Sequence, residues 1–137
     1  MKNDKLSILV IASEAAPLAQ AGGLGDVIGS LPLVFRDLGH RVAVALPAYR
    51  QTLLRGNNFK LAARDLLVRM GGQQLTADVL EGELAAGVPA YLVRRDEFFD
   101  RVELYGSSKG EYPDNRERYI FFSRSIPAIC EVLGFVP

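Results

Sequence analysis

The sequence is poor in the residue types that announce metal, disulfide or nucleic-acid chemistry. It has one cysteine, Cys130, and one histidine, His40. A single cysteine frames no disulfide, and one cysteine with one histidine makes no zinc cluster. Charge of either sign is not in excess: 16 lysines and arginines balance 16 aspartates and glutamates. That balance removes the electrostatic case for a nucleic-acid or membrane-surface partner. No apolar run approaches the ~20 residues of a membrane span. The first, "LSILVIA" at 6–12, is met at once by Glu14, so it reads as a buried strand rather than a secretory leader. Internal repeats and low-complexity tracts are missing too. A cytoplasmic protein is the simplest expectation.

What is present is a core. Apolar residues make up 49% of 137 positions, enough for one domain or part of a larger one. Residues 6–12 are continuously apolar and β-branched, which predicts a central parallel strand. Val27, Ile28, Leu31, Val34, Phe35 and Leu38 then recur at three- and four-residue steps, an amphipathic helix that Gly39 ends and Pro32 bends or begins. "RVAVALP" at 41–47 is a second buried strand, which completes a βαβ unit. Residues 62–70 and 73–84, joined by Gly71-Gly72, predict a hairpin. "GVPAYLVRR" at 87–95 is a third apolar strand. The polar, aromatic stretch 96–115 predicts a long surface loop. Asp114, three residues before Glu117, resembles a capping box opening a last helix, with Tyr119, Phe122, Ile126, Ile129 and Leu133 on one face and Pro127 as a bend. The fold expected is α/β: a Rossmann-like domain, truncated at 137, with a parallel sheet and an inserted β-hairpin.

The chemistry concentrates in "SEAAPLAQAGGLGDVIGSL", residues 13–31, with four glycines and only Glu14 and Asp26 charged. Gly23, Gly25 and Gly29 nearly spell a dinucleotide fingerprint. However, ten residues separate the first strand from the glycines, and "ALPAYR" lacks the acidic residue that would hold a ribose. No Gly-Lys-Ser/Thr follows, which excludes a Walker loop. What remains is a wide loop at the carboxyl end of the first strand, where open α/β sheets bind ligands and where glycine lets bare N–H groups approach. Asp26 falls in the first helical turn. Spacing leaves two roles open for it: a cap that complements the helix dipole, or a ligand contact.

These residues resemble the opening of bacterial glycogen synthases and plant starch synthases, a family that begins with a strand, Ser-Glu, Lys-x-Gly-Gly-Leu-(Gly/Ala)-Asp-Val and Leu-Pro. Three later pieces agree in order: "LGHRVAVALPAY" at 38–49, "FFDRVELYG" at 98–106 and "YPDNRERYIFFSRS" at 112–125. The resemblance implies a two-domain GT-B glycosyltransferase that needs no metal or other cofactor. It would move glucose from ADP-glucose, or UDP-glucose, to the non-reducing end of an α-1,4-glucan with retention. Residues 1–137 would be the partial N-terminal Rossmann-like domain, with the C-terminal nucleotide-sugar domain absent. It also implies that Gln20, Gly22, Gly23 and Asp26 face the donor, and that Tyr105 and Asp26 face the acceptor. No catalytic residue then falls inside the chain, because the family's active-site histidine segment would lie past Pro137. The isolated chain is expected to be inactive. The family's lysine falls on Gln20, and an amide can hydrogen-bond a diphosphate but not neutralise it. That departure keeps an alternative open, a non-catalytic carbohydrate- or regulator-binding relative. A half-finished sheet also predicts self-association through the truncated face.

Other candidates have plainer expectations. Asp96, Glu97, Asp100 and Glu103 read as a solvated loop face rather than acid–base carboxylates. His40 reads as a solvated residue at a helix end. Cys130 reads as a small buried hydrophobe. Tyr119, Phe121 and Phe122 read chiefly as core, with a sugar-stacking role for one of them as the alternative.

Overall fold

The computed structural model describes residues 4–55 and 58–137. Among these residues seven strands and four helices follow in order: β1 (Ser7–Ile11), α1 (Gly23–Asp37), β2 (Arg41–Pro47), α2 (Arg50–Leu53), β3 (Lys60–Met70), β4 (Gln73–Ala85), β5 (Val88–Arg94), α3 (Asp96–Phe99), β6 (Gly106–Ser107), β7 (Gly110–Glu111) and α4 (Asn115–Leu133). Five strands form one sheet in the order β1-β2-β5-β4-β3. β1, β2 and β5 are parallel, and the β3–β4 hairpin adds antiparallel to β5. The expected parallel trio with its hairpin is therefore present, turned at Gly71 with φ +60°.

Alternation along β2 divides the core. Val42, Val44 and Leu46 face a layer with Leu18 and Ile28, on the α1 side. Ala43 and Ala45 face the other layer, with Phe98, Phe99, Phe121, Phe122, Ile126 and Ile129, on the α4 side. Small alanines on that face leave room for the aromatic cluster, in which Phe98 and Phe121 lie 5.2 Å apart between ring centroids. Cys130 is half-buried against this layer.

Several expectations change. β1 is the outermost strand of the described sheet and only half-buried, because nothing in the described residues pairs its far side. α1 has two apolar sides. Ile28 and Pro32 are buried, whereas Leu24, Val27, Leu31, Val34 and Leu38 are exposed. Gly39 does end the helix region, with φ +92°. His40 is half-buried rather than solvated, and its Nδ1 accepts the Leu6 N–H at 3.2 Å. Asp114 does stand at the start of α4, but its side chain makes no cap. It takes two hydrogen bonds of 2.6 Å from Arg101 instead, a fork-to-fork geometry that an N–H cap cannot match.

The largest correction is at 96–115. Most of the stretch is exposed as expected, but α3 opens it, β6 and β7 pair within it, and part of it is core. Phe98, Phe99 and Leu104 are buried, so an aromatic content that looked like exposed punctuation is core. Arg118 holds the segment from within. The residue is fully buried, and its Nε donates to the Phe98 carbonyl at 2.6 Å while Nη1 donates to the Leu104 carbonyl at 2.9 Å. Nη2 makes no hydrogen bond, but the guanidinium lies 5.0 Å from the Tyr112 ring and 5.3 Å from that of Tyr119, where ring faces favour a cation. Asn115 adds a bond of 2.8 Å to the Tyr105 carbonyl. One helix turn thus fixes the backbone that carries Tyr105.

Arg118→Met keeps the stem and removes the donors, which leaves the buried Phe98 carbonyl without its side-chain donor and the Leu104 carbonyl with the Tyr119 hydroxyl alone. The expected loss is about 2–4 kcal/mol, read as a lower urea midpoint with little change in slope. A loss below about 1 kcal/mol would mean that the segment holds its shape without this arginine.

Candidate functional site

Between β1 and α1 the chain folds into a buckle. Ala15 and Ala19 exchange two backbone hydrogen bonds of 2.9 Å, and Ala16 donates to the Gly25 carbonyl at 2.9 Å. Ala15, Leu18 and Ala19 are buried, and Thr52 Oγ1 secures the Leu18 carbonyl at 2.8 Å. Arg55 donates to the Pro17 carbonyl. Gly29 allows α1 to come this close, since a Cβ there would stand 2.5 Å from the Ala16 oxygen. Gly29 is therefore a packing requirement. Gly22 and Gly23 are not, for an added Cβ at either meets nothing within 4 Å.

At the centre of the buckle is a carboxylate. Glu14 is 4% exposed. The Ala21 and Gly22 N–H groups donate to its Oε1 at 2.7 and 2.8 Å, and the Tyr105 hydroxyl donates to Oε2 at 2.6 Å. Burial pushes this carboxyl's pKa up, but the bonds from Tyr105 and from the Ala21, Gly22 and Gly25 N–H groups outweigh it and hold the group below its ordinary value. Tyr105 is pushed the other way, by burial first and by donation to Glu14 second. Its oxygen also lies 2.7 Å from Ser13 Oγ.

Tyr105 stands between two clefts. One, of about 310 Å³, is lined by Ile11, Ala12, Ser13, Tyr105, Tyr119, Phe122 and Ser123. The other, of about 350 Å³, is lined by Gln20, Ala21, Glu103, Leu104, Tyr105 and Gly106. The expected site residues Gln20 and Tyr105 therefore meet in one cleft, at the carboxyl end of β1. Asp26 lies outside both clefts and is exposed; it accepts the Gln20 amide at 2.8 Å, while that amide also donates to the Gly22 carbonyl at 3.2 Å. Asp26 makes no cap bond, so of its two expected structural tasks only the dipole position remains. The Gly22 N–H, expected to face a phosphate, is directed at Glu14. Gly23 opens α1 as its first residue, where helical N–H groups lack partners within the helix.

Sequence reasoning missed Glu14, Ser13, Asn115 and Arg118. A charge set between an apolar strand and an alanine-rich segment was the available mark of a buried carboxylate at 14. The acidic cluster is exposed and largely paired: Asp96 with Arg94, Glu97 with Arg95 and Asp100 with Arg50. Phe121 and Phe122 are core, and Tyr119 lines the smaller cleft. Among the described residues no group of three metal-ligating side chains gathers, and no helix is long and apolar enough to cross a membrane.

Glu14→Gln should cost about 2 kcal/mol at pH 7, since bonds to a carboxylate are replaced by neutral ones. The sign of the pH effect follows from the depressed carboxyl. Its contribution is complete above the unfolded value of about 4.3 and fades as pH falls through the lower folded value. Thermal unfolding of both proteins from pH 7 to pH 3 should show their difference shrinking below about pH 4. Asp114, held low first by its bond from Arg101, acts in both proteins and cancels in that difference. A gap that is constant across the range would mean Glu14 is not held as a carboxylate.

Comparison with known proteins agrees with this geometry. Residues 7–137 match the family model of the starch synthase catalytic domain. Glycogen synthases of Desulfatibacillum aliphaticivorans and Syntrophotalea carbinolica are 39% and 40% identical over 132 residues, which is 96% of this chain and 27% of theirs. The catalytic domain of starch synthase IV from Arabidopsis thaliana, solved with ADP and acarbose, superposes with a TM-score of 0.82 at 27% identity, over 98% of this chain and 27% of that one. The chain thus spans about a quarter of the relatives it matches, and over that span it has the fold of a GT-B starch synthase catalytic domain. With the parallel trio, the glycine buckle and the Tyr105 segment all inside residues 7–137, the chain belongs to the starch synthase catalytic-domain family of glycosyltransferases.

Proposed function

We propose that this chain is one wall of the cleft of a retaining glucosyltransferase that elongates α-1,4-glucan from ADP-glucose. Residues 1–137 are then the partial N-terminal Rossmann-like domain, and the nucleotide-sugar domain is a separate C-terminal unit. The observation that carries this reading is the Glu14 carboxylate, which joins the glycine buckle to Tyr105 at the carboxyl end of a parallel strand. Gln20, Gly22, Gly23 and Asp26 serve the donor side. Gly23 is the better placed of the two glycines, because Gly22 already donates to Glu14. Tyr105 serves the glucan, with Asp26 at the edge between the two sides. The ADP and acarbose held by the Arabidopsis relative support ADP-glucose over UDP-glucose. The single half-buried thiol, Cys130, suits a reducing cytoplasm.

A specific observation favours a second reading, a carbohydrate- or regulator-binding relative without activity. Where the family has lysine, Gln20 spends its amide on Asp26 and the Gly22 carbonyl. In a full-length enzyme, Gln20→Lys should tighten ADP-glucose about tenfold, and less so in high salt. If the protein is a binding module, calorimetry should show no nucleotide-sugar binding by either form, while maltooligosaccharide still binds.

The 137-residue chain should not elongate glucan from ADP-glucose or UDP-glucose, because alignment and water exclusion need both walls of the cleft. Elongation by the purified chain would overturn the division of labour proposed here. The side of β1 that no described residue pairs, and the exposed Leu24, Val27, Leu31 and Val34 on α1 with Leu38 just past its end, should make the chain self-associate at micromolar concentration. Sedimentation that shows a clean monomer would count against it.

A further inference from the structure

The two edges of the sheet are unlike. β1 lies at one edge and β3 at the other, and no described residue pairs the outer side of either. An unpaired strand presents its N–H and C=O groups to any other chain. β3 is the greater hazard, with 11 residues against five and with Leu61 and Leu67 exposed on it. Its pairing with β4 is regular only over Leu66–Met70, which stand opposite Ala77 to Gln73 in unbroken register. Before that the register slips twice, between Leu61 and Ala63 and between Ala63 and Leu66. At the second slip Arg64 and Asp65 together stand opposite Asp78, one residue too many for a ladder. Asp65 is left-handed, with φ +54°, and among the described residues it is the one non-glycine with positive φ. Its N–H donates to Asp78 Oδ1 at 2.9 Å, so a side chain of β4 replaces the missing ladder partner. Arg64 and Asp65 also line the same charged hollow of about 420 Å³, beside Arg94. Consecutive residues of a regular strand would point to opposite faces.

We propose that this bulge closes the β3 edge to strand addition, so that the chain offers a second copy one pairing edge rather than two. The inference is independent of the glucosyltransferase reading. A bulge bends and twists its strand, which leaves an incoming strand only Leu66–Met70 to follow. A strand laid further along would take Arg64 and Asp65, both exposed, out of water. The number of pairing edges decides the kind of assembly. With one edge per chain, strand pairing stops at a closed pair. With two, each copy can add the next and growth is open-ended. The Asp65–Asp78 contact is therefore what separates limited association from polymer.

The test compares the 137-residue chain with two pairs of variants. Asp65→Asn and Asp65→Thr lose the same charge, but asparagine accepts the left-handed conformation and β-branched threonine resists it. Asp78→Asn keeps an oxygen that can accept the Asp65 N–H, and Asp78→Ala has none. The measurement is the concentration above which thioflavin-positive polymer sediments. It should fall about tenfold in Asp65→Thr and about fivefold in Asp78→Ala. Both asparagine variants should match the parent chain. Threonine and alanine variants that behave like their asparagine counterparts would overturn the proposal, and so would open-ended polymer from the parent chain. If a variant fails to fold, hydrogen exchange of the parent chain decides instead. Up to its highest soluble concentration, the β3 amides should exchange at an unchanged rate. Protection of β3 that grows with concentration means that this edge pairs, and the proposal falls.

Discussion

Everything near the cleft depends on one buried carboxylate. Removing a charge from water costs several kcal/mol unless donors surround it. Glu14 has them on both sides, the Ala21 and Gly22 N–H groups just before α1 and a phenol from the segment before α4. Because that cost is met only when all donors are in place, the buckle and the Tyr105 segment stay in one arrangement or neither holds. A four-glycine stretch is therefore tied at Gly22 to Glu14 and at the Gly25 carbonyl to Ala16. It closes first around a side chain of its own.

The aromatic layer on the α4 side completes this constraint. Tyr105 reaches Glu14 only because its backbone is fixed by Asn115, and the neighbouring Leu104 carbonyl by Arg118 and Tyr119. A buried arginine with no carboxylate partner among the described residues is costly, yet its donors match carbonyls that no regular strand satisfies. The segment 98–105 has too many turns to pair in the sheet, so its carbonyls need side-chain donors. α4 provides those with its first turn and the core with the remainder.

The strands, the hairpin and the long helices were legible because each has a period or a turn residue of its own. Gly71 and the alternating runs beside it specify β3 and β4 locally, and the apolar run of β2 can be buried on both faces. The misreadings share a physical cause. Phe98, Phe99 and Leu104 lie in a polar stretch whose burial is decided by what packs over it, and no local period records that. The two-sided α1 shows the same limit: its apolar positions are visible, but which of them meet the sheet is not. At the site, Gln20 and Tyr105, which the motif assigned to the donor and acceptor sides, line one cleft. The direction of the Gly22 N–H depended on Glu14, whose partner stands 91 residues away.

That carboxylate also bears on the charge of the donor side. Glu14 places a negative charge at the amino end of α1, where the helix dipole would otherwise favour a phosphate. Asp26 adds a second, exposed one in the same turn. A diphosphate approaching Gly23 would meet two carboxylates, so its binding calls for a cation from some other source. An ammonium at position 20 would lie within reach of Asp26, given the 2.8 Å contact the glutamine makes now. An exposed Lys–Asp pair is worth at most about 1 kcal/mol, and a diphosphate carries more charge than a single carboxylate. The ammonium would then prefer the ligand when it is present and rest on Asp26 when it is not. With Gln20, neither negative group is neutralised from this position, so a diphosphate bound here would need its cations from residues other than position 20.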